Sequence, residues 1–442
     1  MATATGFRQV ARDASAVAVP VIGGMGLSFV VSVALARWLG AAEFGTYSLA
    51  MSWAFVIGTA STFGLDNTIV SQVPVAAANR AWGQLRGLLR WANGVTLLAS
   101  AALLGLAFLV RLVWVDRGQP LLPETWLLAG LLVPLMGLLR VQQATLRSLA
   151  RAALGLVPES VLIPSLMLGF IVVAAATGSF APIAEHALLA QVAAASAALV
   201  LAAWLVVRTT PAGAKAAEPQ YRHRAWLALS GRMFMMSSLT ALNGRIGILM
   251  LGILAAPGIV GPYAVALRGA GFVSLALNMT VLAMAPTIAG TWSAGEPLRL
   301  QRLARQMSLV AAIGGVPIAV ALILWGRSFL LLFGPGFEGA STALAILVIG
   351  EVVNVAAGPV ATLLVMSGHE RDAVLGLAAG SALNGGLCLI LIPQWGITGA
   401  AVAAAASLVA WNLILWRLVH SRLAIAPSFV TGLVAVARDP GD

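Results

Sequence analysis

Repeated apolar stretches are the feature that most constrains how this chain can fold. Each is predominantly apolar over about 20 residues, the length that a helix needs to cross a bilayer. Of the 442 residues, 60% are hydrophobic and 9% are charged, whereas roughly a quarter of a soluble domain is charged. The sequence therefore predicts an all-α polytopic membrane protein and excludes a soluble globular fold. By this length criterion about twelve transmembrane helices are predicted, over residues 14–37, 44–66, 88–114, 125–147, 152–176, 183–207, 227–255, 262–288, 306–326, 340–366, 373–392 and 397–419.

The distribution of Lys and Arg predicts the orientation of these helices. Eighteen basic residues lie at one set of span ends, and only Arg37, Arg111, Arg117 and Arg327 lie at the other. Cytoplasmic loops of membrane proteins carry the excess of Lys and Arg, so we expect a multi-pass protein with both termini in the cytoplasm. The formal net charge of +11 follows mainly from this topology, and no nucleic-acid partner is predicted.

The two halves of the chain resemble each other. An even number of spans in each half means that both halves insert in the same direction, and such parallel repeats are a transporter plan. We predict an N-terminal six-helix bundle over 1–210, a cytoplasmic linker over 211–225, interpreted as flexible, and a C-terminal six-helix bundle with a short cytoplasmic tail over 226–442. The matching segments are EFGTYSLA (43–50) with IVGPYAVA (259–266), LRGLLR (85–90) with LQRLAR (300–305), and AALGLVPES (152–160) with AVLGLAAGS (373–381).

Four segments carry a resemblance to a known family. They resemble bacterial O-antigen and polysaccharide flippases of the multidrug/oligosaccharidyl-lipid/polysaccharide (MOP) exporter superfamily, over residues 12–422. The resemblance implies two parallel six-helix bundles around a central cavity, as in multidrug (MATE-like) exporters and lipid II flippases. The segments are LARWLGAAEFGTYSLA (35–50), RIGILMLGILAAPGIVGPYAVAL (245–267), LLLFGPGFEGASTALAILVIGEVVN (330–354) and MSGHERDAV (366–374).

The same resemblance implies a function. It implies alternating-access transport of a polyprenyl-diphosphate-linked oligosaccharide from the inner to the outer leaflet, for O-antigen, capsule or exopolysaccharide synthesis at the bacterial inner membrane. The expected partners are this lipid-linked substrate, membrane lipid, a coupling proton or sodium ion, and the polysaccharide assembly machinery. The sequence departs from the family at one position, since members often have Asp where this chain has Gly247.

Arg245 and Arg268 are the central candidate site residues. Both fall in the outer half of the predicted bilayer, where a charge is costly unless it faces water or a partner. A diphosphate is a suitable partner, because its oxygens match the planar guanidinium group. Glu351 is the carboxylate expected at comparable depth, and it could instead pair with one arginine. Three asparagines are assigned either to sugar hydroxyls or to inter-helix hydrogen bonds, namely Asn243, Asn278 and Asn354.

A second charged pair is predicted in the N-terminal half. Arg140 and Glu159 lie at equal distances from a turn near residues 149–150. Equal depth on neighbouring helices favours a structural ion pair, whose partners offset one another's burial.

Two alternative functions are weighed against the flippase. A multidrug exporter of the same fold would favour carboxylates in its cavity for cationic drugs, whereas the spans have a basic bias. A membrane polysaccharide polymerase or ligase would need catalytic groups, and the four histidines are scattered at span ends. We therefore predict a transporter rather than an enzyme, with no catalytic residues, no metal ligands and no cofactor.

Overall fold

The computed structural model describes residues 2–114, 123–149, 152–255 and 257–426, and these form helices joined by short turns. No β-strand occurs in these ranges. The helices are α1 (Ala2–Ser61), α2 (Leu65–Ala78), α3 (Trp82–Trp114), α4 (Pro123–Ser148), α5 (Ala152–Val157), α6 (Ile163–Thr177), α7 (Ala184–Thr209), α8 (Ala212–Ala216), α9 (His223–Asn243), α10 (Ile246–Leu254), α11 (Val260–Ala270), α12 (Leu275–Ser293), α13 (Pro297–Leu331), α14 (Ser341–Ala357), α15 (Val360–Met366) and α16 (Glu370–Leu423).

The helices long and apolar enough to cross a membrane number nine among the described residues, or ten when α9 and α10 count as one broken span. The sequence predicts about twelve, and part of the difference lies in two long helices. Helix α1 is interrupted at Gly40 (φ 75°, ψ 173°) and α16 at Gly396 (φ 54°, ψ −125°). Both glycines fall in gaps that the sequence predicts between spans, and both adopt a positive φ that favours glycine.

The N-terminal unit comprises residues 1–241. In this unit α4 packs against α1, α2, α3 and α7. Gly58 of α1 and Gly137 of α4 lie at the crossing of their helices, where a side chain on Gly137 would collide with the Ser61 hydroxyl. Small residues of this kind let helix backbones approach closely in lipid, where packing rather than water exclusion holds helices together.

Helix α9 packs on the N-terminal unit, and the division of the chain therefore differs from the predicted one. Trp226 is 4% exposed and lies in one cluster with apolar residues of α2, α3 and α4. Phe234 stacks on Phe63 with ring centroids 4.6 Å apart, and Asn67 donates a hydrogen bond to Ser237 over 2.9 Å. Contacts divide the chain between Ala241 and Leu242, one helix beyond the predicted linker.

The C-terminal unit comprises residues 242–442. Helix α16 packs against α10, α14 and α15, and α13 packs against α12 and α14. Glycines again allow close crossings: Gly350 of α14 lies against Ala405, and Gly380 lies against Trp411. The apolar core of this unit is formed mainly by side chains of α12, α13, α15 and α16.

Candidate functional site

Arg245 lies at a break between two helices. Helix α9 ends at Asn243 and α10 begins at Ile246, and Arg245 is the residue that precedes α10 (φ −127°, ψ −9°). Its backbone N–H donates to Leu242 O over 2.9 Å, and its carbonyl accepts from Leu249 N over 3.0 Å. The first turn of a helix carries a partial positive charge. The break therefore places the guanidinium group and the positive end of α10 on one stretch of backbone, which suits an anionic ligand.

Arg268 adds a second positive charge near Arg245. It lies in the last turn of α11 and is exposed, whereas Arg245 is half-buried. The two guanidinium groups are close enough for like-charge repulsion to act between them. An anion bound near both groups would relieve this repulsion, and the role of the two arginines as site residues stays a prediction.

Gly247 is required by the packing of Tyr263. The Tyr263 side chain is 1% exposed, and its phenol oxygen and ring occupy the space that a side chain at position 247 would enter. An aspartate at this position would collide with that ring. The departure from the family pattern therefore has a physical reason, because the buried Tyr263 ring fills the space that a carboxylate side chain at position 247 would need.

Glu351 belongs to a polar network between helices. Its Oε2 accepts a hydrogen bond from Asn354 Nδ2 over 3.1 Å. Ser274, whose hydroxyl donates to Gly271 O over 3.3 Å, lies near the carboxylate. Asn354 Oδ1 in turn accepts from Asn412 Nδ2 over 3.1 Å. Of the two roles predicted for Asn354, this geometry favours the inter-helix hydrogen bond. A neutral amide donor from its own helix, α14, thus stabilises the carboxylate.

The other two predicted asparagines are placed less centrally. Asn278 is exposed and lies one turn after Ser274, to whose carbonyl its backbone N–H donates over 3.0 Å. Asn243 is half-buried and is the last residue of α9, next to the break. Either side chain is available for a ligand, and the sequence prediction for both stays a prediction.

Arg140 and Glu159 line one pocket but do not form the predicted ion pair. Arg299 pairs with Glu296 and Arg422 with Asp372 within 4.0 Å, whereas Arg140 and Glu159 each contact other residues. Gln143 Nε2 donates to Glu159 Oε2 over 2.7 Å, so an amide stabilises the carboxylate. The pocket is lined by Met136, Leu139, Arg140, Glu159, Ile163, Gln191 and Ala195.

Local geometry explains why the pair is not formed. The Arg140 guanidinium carbon lies 4.8 Å from the centre of the Phe55 ring, in a cation–π contact. Glu159 lies in a single π-helical turn, Pro158–Leu162, which changes the direction of its side chain relative to a regular helix. Such turns often occur at functional sites. The equal depth predicted from the sequence agrees with the shared pocket, but it did not determine the directions of the two side chains.

Three contacts of the site were not predicted from the sequence. They involve Tyr263 against Gly247, Ser274 near Glu351, and the Tyr47 hydroxyl, which donates to Gln191 Oε1 over 3.2 Å. The repeat match between Tyr47 and Tyr263 is the one sequence signal that points to two of them. Across the part of the chain that the structure describes, no group of three His, Cys, Asp or Glu residues could hold a metal ion.

Comparison with known proteins gives a consistent result. A model of the polysaccharide biosynthesis protein family matches residues 10–292. No curated protein matches the sequence significantly. The fold is similar to that of an inward-facing multidrug resistance MATE family transporter of the MOP superfamily, at 15% identity and a TM-score of 0.73, over 89% of this chain and 94% of that one.

Two further solved structures share the fold. The lipid II flippase MurJ, in an inward closed conformation, is 14% identical with a TM-score of 0.70, over 91% of this chain and 87% of that one. A MOP superfamily transporter from Pyrococcus furiosus is 15% identical with a TM-score of 0.66, over 93% of this chain and 95% of that one. At these identities the similarity establishes the fold alone, an all-α polytopic fold like that of these transporters.

Proposed function

Because the chain belongs to the polysaccharide biosynthesis protein family, we propose that it flips a polyprenyl-diphosphate-linked oligosaccharide from the inner to the outer leaflet of the bacterial inner membrane. Family membership and the MOP fold make the chain a flippase-type membrane transporter. The identity of the cargo as the precursor of an O-antigen, capsule or exopolysaccharide is the finer step that we propose.

The observation that carries this proposal is the pair of arginines in the C-terminal unit. Arg245 stands at the positive end of α10, and Arg268 lies near enough to repel it. Two guanidinium groups match the oxygens of a diphosphate, which they can bind through charge-assisted hydrogen bonds. The diphosphate is the one strongly anionic group that every substrate of this class shares, whatever its sugars.

The membrane potential would assist this transport. With both termini in the cytoplasm, as the excess of basic residues favours, the substrate moves outward. Two negative charges that leave a cell with a negative interior gain about 2.3 kcal/mol per charge per 100 mV. The cationic site then lowers the barrier for the headgroup, and the potential supplies part of the driving force. A proton or sodium gradient is the proposed source of the remainder.

A multidrug exporter of the same fold is the second candidate, because one of the similar solved structures is a multidrug resistance transporter. Cationic drugs bind best near carboxylates, and Glu351 is the carboxylate within the spans of the C-terminal unit. Its hydrogen bond with Asn354, which in turn accepts from Asn412, ties it into helix packing, which favours the anionic substrate over a cationic one.

The test is flipping by the purified full-length chain in proteoliposomes. A fluorescent polyprenyl-diphosphate oligosaccharide is placed in one leaflet, and exposure of its headgroup is measured with a membrane-impermeant quencher. We expect accelerated exposure that depends on an imposed potential, with separate arms in which ionophores collapse a proton or sodium gradient. Transport of cationic dyes without any flipping of the lipid would contradict the proposal and favour the exporter.

A further inference from the structure

The connection between α8 and α9 is docked on the start of α3. Gln220 N donates to Gly83 O over 2.9 Å, and Arg86 Nη1 donates to Ala217 O over 2.8 Å. A side chain at Gly87 would collide with the Gln220 backbone, so only glycine permits this approach. The segment interpreted as flexible from its composition therefore has a defined place on the N-terminal unit.

Aromatic rings continue this docking surface. Tyr221 stacks on His223 with ring centroids 5.1 Å apart and an angle of 10° between the rings. The His223 ring lies 5.7 Å from that of Trp91 of α3, and Trp226 is buried beneath them. Tyr221 remains 47% exposed, so this aromatic group presents a face to its surroundings.

Cationic side chains surround the aromatic group. Arg222 and Arg224 flank His223 in the chain, Arg90 precedes Trp91, and all three are exposed. Glu218 is the acidic residue of the docked segment. The topology of a membrane protein requires an excess of basic residues on one side. Here these basic residues are also direct neighbours in the chain of the stacked rings.

The position of this surface relates it to lipid. It lies where α3, a helix of spanning character, begins and where α9 begins, which forms one broken span together with α10. Leu227, near the start of α9, is 46% exposed. Aromatic residues and basic clusters at the end of a span are typical of the region that lipid headgroups occupy. A lipid headgroup would therefore contact the basic and aromatic side chains, and its acyl chains would contact the apolar surface beside them.

We propose that this surface, formed by Arg90, Trp91, Tyr221, Arg222, His223 and Arg224, binds the anionic phosphate headgroup of a bilayer phospholipid. The site is distinct from Arg245 and Arg268, and it holds a lipid that is not transported. Arg222 and Arg224 supply charge to the phosphodiester, and the rings hold the backbone that carries them. The bound lipid keeps the connection on α3.

The test measures binding of phosphatidylglycerol and phosphatidylcholine to the purified full-length chain in a non-ionic detergent, by native mass spectrometry and by the rise in melting temperature. We expect phosphatidylglycerol to bind more tightly than phosphatidylcholine. Arg222→Gln with Arg224→Gln should weaken phosphatidylglycerol binding by about fivefold for each arginine replaced, while the melting temperature without lipid stays close to that of the native chain.

The matched control replaces two exposed arginines at the equivalent place in the second half. Arg299→Gln with Arg302→Gln removes the same charge at the start of α13, which the repeat aligns with the start of α3, and should leave phosphatidylglycerol binding unchanged. If both double variants lost phosphatidylglycerol binding equally, the effect would follow from net charge alone, and the proposal would be overturned. Unchanged binding in the Arg222 and Arg224 variant would also overturn it.

A further arm separates the phospholipid from the transport substrate. Farnesyl diphosphate carries the headgroup charge of the proposed cargo, so we expect Arg245→Ala to weaken its binding and the Arg222 and Arg224 variant to leave it unchanged. If farnesyl diphosphate instead displaces phosphatidylglycerol from the native chain and loses affinity in the Arg222 and Arg224 variant, the surface belongs to the transport substrate and the phospholipid site is disproved. This arm does not depend on whether the chain flips a lipid.

Discussion

The two halves of the chain share a repeat but place their charges at different points of it. At the offset of 216 residues that aligns Tyr47 with Tyr263, Phe29 and Ser52 occupy the positions of Arg245 and Arg268. In the alignment of 152–160 with 373–381, the C-terminal half has a glycine, Gly380, where the N-terminal half has a carboxylate. The N-terminal half therefore lacks charges at the positions of Arg245 and Arg268, and the C-terminal half lacks a carboxylate at the position of Glu159. The cationic site is a property of the C-terminal unit and not of the repeat.

The aligned tyrosines show how this difference is built. In the N-terminal unit the Tyr47 hydroxyl reaches Gln191 on α7, and position 31, aligned with Gly247, holds a valine that is 8% exposed. In the C-terminal unit the Tyr263 ring occupies the space beside Gly247. The tyrosine that the two halves share thus forms an inter-helix hydrogen bond in the N-terminal half. In the C-terminal half its ring packs against Gly247 of α10, the helix that follows Arg245.

The largest expected effect is the loss of transport on replacing Arg245. Arg245→Ala removes a charge-assisted, bidentate contact to the diphosphate, so flipping should fall by about one to two orders of magnitude. Arg245→Lys should restore only part of it, because an ammonium group lacks the planar fork. Flipping in proteoliposomes at matched protein amounts measures both.

The control for this prediction is Arg302→Ala, which removes an exposed arginine at the start of α13 and should leave flipping unchanged. If the Arg245→Ala chain folds and transports at the native rate, the asymmetry between the halves has no role in substrate binding.

A smaller effect is expected from Gly247→Ala, on stability. Alanine is normally better than glycine in a helix by about 1 kcal/mol, but its methyl group would collide with the Tyr263 ring, and overpacking costs about 1–3 kcal/mol. The melting temperature should fall. In the matched variant Gly290→Ala, where nothing lies within 4 Å, it should stay or rise. Equal behaviour of the two variants would remove the reason given for the missing carboxylate.

The all-α fold with many apolar spans was accessible from the sequence because it follows from local composition and from the rise of a helix. The breaks at Gly40 and Gly396 fell in predicted gaps for the same reason. The docking of the connection on Gly83 and Gly87 was not accessible, since these glycines look like any others in an apolar chain. The partners of Glu351 and Glu159 depend on side-chain direction, which tertiary packing decides.

A still smaller effect on stability is expected from loss of the Glu351 network. Asn412→Ala removes the donor to Asn354 and should lower stability by about 0.6 kcal/mol, the average for inter-helix hydrogen bonds in membranes. Asn93→Ala, which removes the acceptor of a Gln142 hydrogen bond in the N-terminal unit, is the matched change and should cost about as much. Denaturant unfolding of both variants measures this, and a cost several times larger for Asn412→Ala would give the C-terminal network a role beyond packing.

The smallest effect is expected for the coupling between Arg140 and Glu159. These side chains share a pocket, but Phe55 lies against the arginine and Gln143 hydrogen-bonds to the carboxylate. In a double-mutant cycle with Arg140→Gln and Glu159→Gln, the two stability changes should add to within about 0.5 kcal/mol. A parallel cycle with Gln143→Ala and Glu159→Gln should show coupling of about 1 kcal/mol, because that pair is in direct contact. If the coupling to Glu159 were larger for Arg140 than for Gln143, the result would support an ion pair and contradict the geometry of this pocket.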